Sequence, residues 1–163
     1  MKNNIKNGIK MKGIVSYVLT DKDGNIKKEF TKHNQIQNLG FAAIASLIAS
    51  DNPQSEDTFD AMAIGSGNGQ AITATTLATE ITTNGGARRT GADVDATSQE
   101  TNVANDTIQF LTTWTFTGGL SITEAGIFNA HPTGGTMLAY QDFGVINVAN
   151  GDNLQVKWQI VFA

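Results

Sequence analysis

The sequence predicts a mainly β protein: an antiparallel β-sandwich or barrel carrying one apolar helix at about residues 38–50, with an extended N-terminal arm in front of it. Three observations carry that prediction. Residues 107–116 and 154–162 alternate apolar and polar side chains, the period of a half-buried strand. Gly, Asn and Asp punctuate the chain at short intervals, as turns between short strands require. Only residues 39–49 set enough large apolar side chains at helical spacing to predict a long helix. At 163 residues, 40% of them hydrophobic, the chain can bury one real core. The expected division is a basic arm over 1–12 and a single β-rich domain over 13–163.

The elements follow in order. The arm carries Lys2, Ile5, Lys6, Ile9 and Lys10, the side chains expected to touch a partner. Residues 13–19, Gly-Ile-Val-Ser-Tyr-Val-Leu, are β-branched and aromatic and predict a strand. Asp23-Gly24 turns it, since glycine supplies the positive φ of a hairpin turn, and 26–30 return. Asp21, Asp23 and Asn25 resemble a calcium loop, but Gly24 falls at its fourth position and Lys32 at its twelfth, where that loop needs glycine sixth and glutamate last. Asn38 is placed to cap the helix. Phe41, Ile44, Ala45, Leu47 and Ile48 make the helix apolar around most of its circumference, so it is expected to be buried against a sheet or a neighbouring subunit. A polar, acidic loop spans 50–60, and residues 62–65 form a short strand stopped by Gly65-Ser-Gly-Asn-Gly69. Ala74, Leu77 and Ile81 share a helical face, which predicts a short helix over 73–81. Residues 82–106, poor in large apolar side chains, predict a long exposed excursion with one weak strand near Arg88. Strands are then predicted at 107–116, 122–128, 136–140, 142–148 and 154–162, joined through Gly118-Gly119, the loop 131–135 and Asn150-Gly-Asp-Asn153.

Charged residues make up only 16% of the chain, against roughly 25% in an ordinary domain. Short polar side chains replace them, and these lose little entropy on being held in extended contacts. The net charge of −4 conceals an asymmetry: residues 1–32 hold eight basic and three acidic side chains, +5, and the remainder holds three and twelve, −9. A basic arm on an acidic body suits head-to-tail contact between copies, or docking on an acidic platform. Its lysines are dispersed and it has no arginine to fork a phosphate, so no nucleic-acid partner is expected. No apolar run approaches the ~20 residues of a membrane span, so no membrane partner is expected either.

The residues of chemistry are sparse. The absence of cysteine removes disulfides, thiolate metal sites and a cysteine nucleophile together. His33 and His131 have no second ligand at metal spacing. Gly65-Ser66-Gly67 is not the G-x-S-x-G of a nucleophile elbow, and the glycine run lacks the Lys-Ser/Thr of a phosphate loop. Asp93 and Asp95 have no bulky apolar neighbours to separate their pKa values. Catalytic, cofactor and metal residues are therefore not expected, and neither is enzymatic activity. Trp114, Trp158 and Tyr140 could stack on a sugar, but the alternation assigns both tryptophans to the core. Glu124 is the one acid singled out. It stands among apolar residues, and a buried carboxylate must be paired or heavily hydrogen-bonded. Few cations lie outside the arm, so a structural ion pair with Arg88 or Arg89 is expected.

Several stretches resemble small structural proteins of tailed-bacteriophage virions. They are Met62-Ala-Ile-Gly-Ser-Gly with Thr75-Thr-Leu-Ala-Thr-Glu80 and Arg88-Arg89; Ile122-Thr-Glu-Ala-Gly-Ile-Phe-Asn-Ala130 with Gly134-Gly-Thr-Met-Leu-Ala139; and Gly151-Asp-Asn-Leu-Gln-Val-Lys-Trp-Gln-Ile-Val-Phe162. The entry from Gly13 to Ser50, strand, Asp-Gly turn, His-Asn-Gln-Ile, then helix, is similar to the same group. The resemblance implies a non-enzymatic virion component, made in the bacterial host cytoplasm. A sequence that stops after the Trp158 strand, without repeats, favours a capsid decoration (cement) protein over a fibre. Its partners would be itself, as a trimer, and the major capsid protein; tail, baseplate or fibre-attachment proteins are the alternative.

Overall fold

The computed structural model describes residues 10–49, 58–90, 93–98 and 106–162. Of the predicted arm, Lys2, Ile5, Lys6 and Ile9 lie outside the described residues, as does Ser50 at the predicted end of the helix. The chain runs through β1 (Met11–Thr20), β2 (Ile26–Ile36), α1 (Asn38–Ala49), β3 (Ala61–Gly65), β4 (Asp93–Ser98), β5 (Thr107–Thr115), β6 (Leu120–Phe128), β7 (Met137–Val148) and β8 (Asn153–Phe162). The strands lie in the order β3-β6-β7-β2-β1-β8-β5-β4, every neighbouring pair antiparallel, and the sheet curls until it is nearly closed into a barrel.

The first hairpin turns as predicted, with Gly24 at φ 85°. Asp21 ties the turn: its carboxylate accepts from the side-chain and main-chain N–H of Asn25 and from the Asp23 amide, each at 2.9 Å. Those bonds, led by the Asn25 side chain, hold its carboxyl below the usual carboxylate value. Lys10, the one arm residue outside a strand that is described, is exposed. β1 starts at Met11 rather than Gly13, because Met11 and Lys12 pair with Phe162 and Val161 of β8 and Met11 packs on the core. β7 is one continuous strand where two segments were predicted.

β2 is the seam of the barrel. It pairs with β1 from Ile26 to Asn34, then leaves it and pairs with β7 only through Gln35 and Ile36. Where β2 and β7 splay apart, Lys28 and Lys32 donate to the Val145 and Asp142 carbonyls of β7. Phe30, Tyr17 and Phe143 stack beside the gap, with Tyr17 centroids 4.7 and 4.5 Å from its two neighbours. Side chains replace the missing ladder, so the sheet can bend sharply without leaving its core wet.

Two predicted features change form. The helix expected over 73–81 is absent. Leu77 and Ile81 are buried and Ala74 packs beside Leu77, but the segment is a series of turns lying on the outer face of β3 and β6. Its amides are used elsewhere: Ile81 donates to Ile64, while Ala78 and Thr79 donate to a side chain described below. The covering loop also explains why β3, Ala-Met-Ala-Ile-Gly, is buried on both faces. Of the predicted excursion, residues 93–98 form β4, and 82–90 are not a free loop either. Met62 and Arg89 exchange main-chain bonds of 2.9 Å, the Trp114 indole N–H donates to the Ala87 carbonyl at 2.9 Å, and Thr117 donates to Asn84 at 3.0 Å. This strap carries the sheet from β3 towards β5, where strand pairing alone does not close it. Residues 91–92 and 99–105 lie outside the described residues. Asp93 and Asp95 stand on β4, paired with Leu111 and Gln109 of β5.

The core holds both tryptophans, fully buried, with Val15, Phe116, Ile122, Leu154 and Val156 around them. That burial removes Trp114 and Trp158 as sugar-stacking faces. α1 lies over β7, closest at Gly40, where an added Cβ would sit 2.5 Å from the Leu138 carbonyl oxygen. Ala43 is buried and Ile44 meets the core, but Leu39 and Phe41 are 44% and 45% exposed. The described part of the helix is therefore only partly covered by the sheet of its own chain. No helix among the described residues is long and apolar enough to cross a membrane.

Candidate functional site

Two buried charged side chains, Glu124 and Arg88, lie beside β3 and β6, near the turns that follow β3. Strict alternation from Ile122 would point residue 124 into the barrel. A register shift between Ile122 and Glu124 turns it to the outer face instead. Glu124 is fully buried there. Its Oε1 accepts from the Gly67 amide at 3.0 Å and the Thr79 amide at 2.8 Å, and its Oε2 from the Ala78 amide at 3.0 Å. Gly65, its register partner on β3, supplies the room: a Cβ at that position would lie 2.4 Å from Oε1. Thr123 Oγ1 donates to the Gly67 carbonyl at 2.6 Å, and Asp142 accepts from the Gly69 amide at 3.2 Å. The glycine run is a turn, as predicted, and the Glu124 carboxylate binds it to the sheet.

The expected pairing of Glu124 with Arg88 or Arg89 is not what forms. Arg88 is buried and forks onto Glu80, Nε to Oε1 at 3.0 Å and an Nη to Oε2 at 2.7 Å. Its other Nη donates to the Ala130 and Gly134 carbonyls at 2.7 and 2.8 Å, and the guanidinium lies 3.9 Å from the centroid of Phe128. Arg89 points out and donates to the Gly85 carbonyl at 3.2 Å. The reason is chain geometry. Glu80 and Arg88 flank the turn that leads into the strap, both beside β3, while the amides of the 66–79 loop already enclose Glu124. Sequence reading missed Glu80 as the partner. The signal was present, because Glu80 closes the Thr75–Glu80 stretch that travels with Arg88 in the resembling motif.

Two neighbours extend the polar layer. Burial pushes the Tyr140 hydroxyl up to about 12, with the Glu124 and Asp142 carboxylates adding to it against the Gln70 amide. Burial, with the Asp142 and Tyr140 charges adding to it, raises the Tyr17 hydroxyl well above the ordinary phenol value, and that hydroxyl has no hydrogen-bond partner. At the opposite hairpin, burial raises the Asp152 carboxyl. Its ion pair with Lys27 and the Ala149 amide outweigh that and leave it below the usual value.

Chemically, this cluster binds its own chain. Three amides of its own chain and the neighbouring Tyr140 hydroxyl surround Glu124, and Arg88 spends its donors on Glu80 and two carbonyls. His131 contacts the Arg88 carbonyl at 3.1 Å and lines a polar hollow of about 330 Å3 with Thr58, Asp60, Thr90 and Asn129. His33 lines an apolar groove of about 550 Å3 with Met11, Ile36, Phe41 and Ile72. No group of three metal-ligating side chains lies together among the described residues. Comparison with protein-family models, with curated proteins and with solved structures finds no match.

Proposed function

We propose that this chain is a structural protein of a tailed-bacteriophage virion, a capsid decoration (cement) protein that binds the assembled head as a homo-oligomer and stabilises it. One observation carries the reading. The separate stretches that resemble virion proteins meet in space: the Gly65–Gly69 turn and the Thr75–Glu80 segment fold onto Glu124, and Arg88 joins Glu80 to the 130–134 loop. Motifs scattered along a chain that converge on one buried clamp act as parts of one architecture. The side chains that could do chemistry are engaged in holding that architecture, which supports a role in being held in place. The exposed Leu39, Phe41 and Ile72 supply apolar surface for contact.

Stabilisation would work by mass action: a protein that binds only the assembled shell shifts the shell's equilibrium towards assembly. Particles made without this protein are expected to lose heat resistance, measured as surviving infectivity after a temperature step, and to regain it when purified protein is added back. Equal survival with and without the protein would overturn the cement role. Copy number per particle separates locations. Hundreds of copies place it on the head, and a small multiple of three or six places it in the tail.

A further inference from the structure

We infer that the apolar groove beside α1 receives the first nine residues of a second copy of this chain, added as an extended strand. The groove is the wedge where β1 and β2 part. Their ladder stops at Gly13 and Asn34, β2 turns to β7 at Gln35, and among the described residues Met11 and Lys12 have strand partners only on the β8 side. The wedge therefore has main-chain edges outside any described ladder, which is what strand addition uses. At its apex the Asn34 carboxamide lies over Gly13, with both polar atoms buried and no hydrogen-bond partner. A buried group of that kind is costly to leave unpaired. A passing main chain offers the N–H and C=O that would satisfy it. Phe41 and Ile72, 45% and 42% exposed, form the apolar side.

The occupant follows from what precedes Lys10. Nine extended residues reach about 30 Å. As a strand, residues 1–10 place Ile5 and Ile9 on one face and Lys2, Lys6 and Lys10 on the other, an amphipathic pattern matched to an apolar groove. Folding back onto its own β1 is the rival. A two-residue turn at Asn7-Gly8 would set Lys6 opposite Ile9 and Asn4 opposite Met11. That register points Lys2 and Lys6 to the core side and Ile5 to solvent, the wrong way round. A second copy's segment enters in either register. Such a head-to-tail contact closes into a ring where the rotation between copies permits it and otherwise extends into an open chain.

The inference does not rest on the virion reading and is tested with the purified full chain. The protein has no cysteine, so Ile5→Cys and Phe41→Cys give clean probes. Mixing the two single variants under mild oxidation should yield a covalent dimer joining unlike chains, several-fold over either like pair. Deleting residues 1–9, which removes no described contact, should lower the mass found by light scattering to that of one chain. A cross-link formed only within one chain of the double variant would overturn the second-copy occupant. Like pairs of Phe41→Cys formed as readily as unlike ones, a full chain monomeric at every concentration, or no cross-link at all would overturn the groove's role.

Discussion

At Glu124 three amide donors converge on two oxygens, so even a nearly isosteric change is disruptive. Glu124→Gln keeps the volume but turns an NH2 towards at least one of those amides, leaving buried donors unpaired. The expected loss is about 3 kcal/mol in unfolding free energy, a fall of roughly 6–12 °C in Tm for a domain this size. Urea or thermal melts check it, and an unchanged midpoint would show that the nest is incidental. The tyrosines give a second measurement. The chain has only two, and both are raised, chiefly by burial. The folded state therefore favours the protonated phenol. Its contribution is complete below the ordinary value near 10, and falls as pH rises through about 12 for Tyr140. In a near-ultraviolet titration, little phenolate should form near pH 10 while the protein is folded; a normal transition there would mean both rings are wetter than described.

At the scale of elements, Gly40 sets helix against packing. Alanine gains up to about 1 kcal/mol of helix propensity. Here its Cβ would stand 2.5 Å from the Leu138 carbonyl oxygen, and main chain cannot step aside as a side chain can. Overpacking of that kind costs about 1–3 kcal/mol, so Gly40→Ala is expected to destabilise by about 1–2 kcal/mol in urea melts. A gain in stability would show that α1 slides freely over β7. The same comparison explains the helix that did not form at 73–81. Its apolar spacing was real, and Leu77 and Ile81 are inside. Turns place those side chains inward equally well and free the Ala78 and Thr79 amides for Glu124, a stronger use of two buried donors than one more helical turn.

For the whole molecule, β1 must find β8 across nearly the full sequence, Met11 opposite Phe162. The entropy of closing so long a loop has to be met before the non-local contacts reward it, so refolding is expected in milliseconds to seconds rather than microseconds. Stopped-flow fluorescence of Trp114 and Trp158, both in the core that this pairing closes, measures it. A microsecond phase carrying the full amplitude would mean that the barrel assembles from local hairpins alone. The seam at β2 argues for slow closure too, because only Gln35 and Ile36 join its two halves by a ladder.

Alternation and turn chemistry belong to neighbouring residues, so β1, β2, β5, β6, β7 and β8, their hairpin turns, the helix near 38–49 and the burial of both tryptophans were legible in the amino-acid order. The choice of partner for each buried charge was not. Glu124 reads correctly as buried, but Arg88 reads as part of an exposed excursion and is buried instead; the register shift between Ile122 and Glu124 and the path of the strap gave the carboxylate to three amides and the arginine to Glu80. Partners of that kind depend on which loops arrive at one place in three dimensions, and a pattern along one dimension carries no record of it.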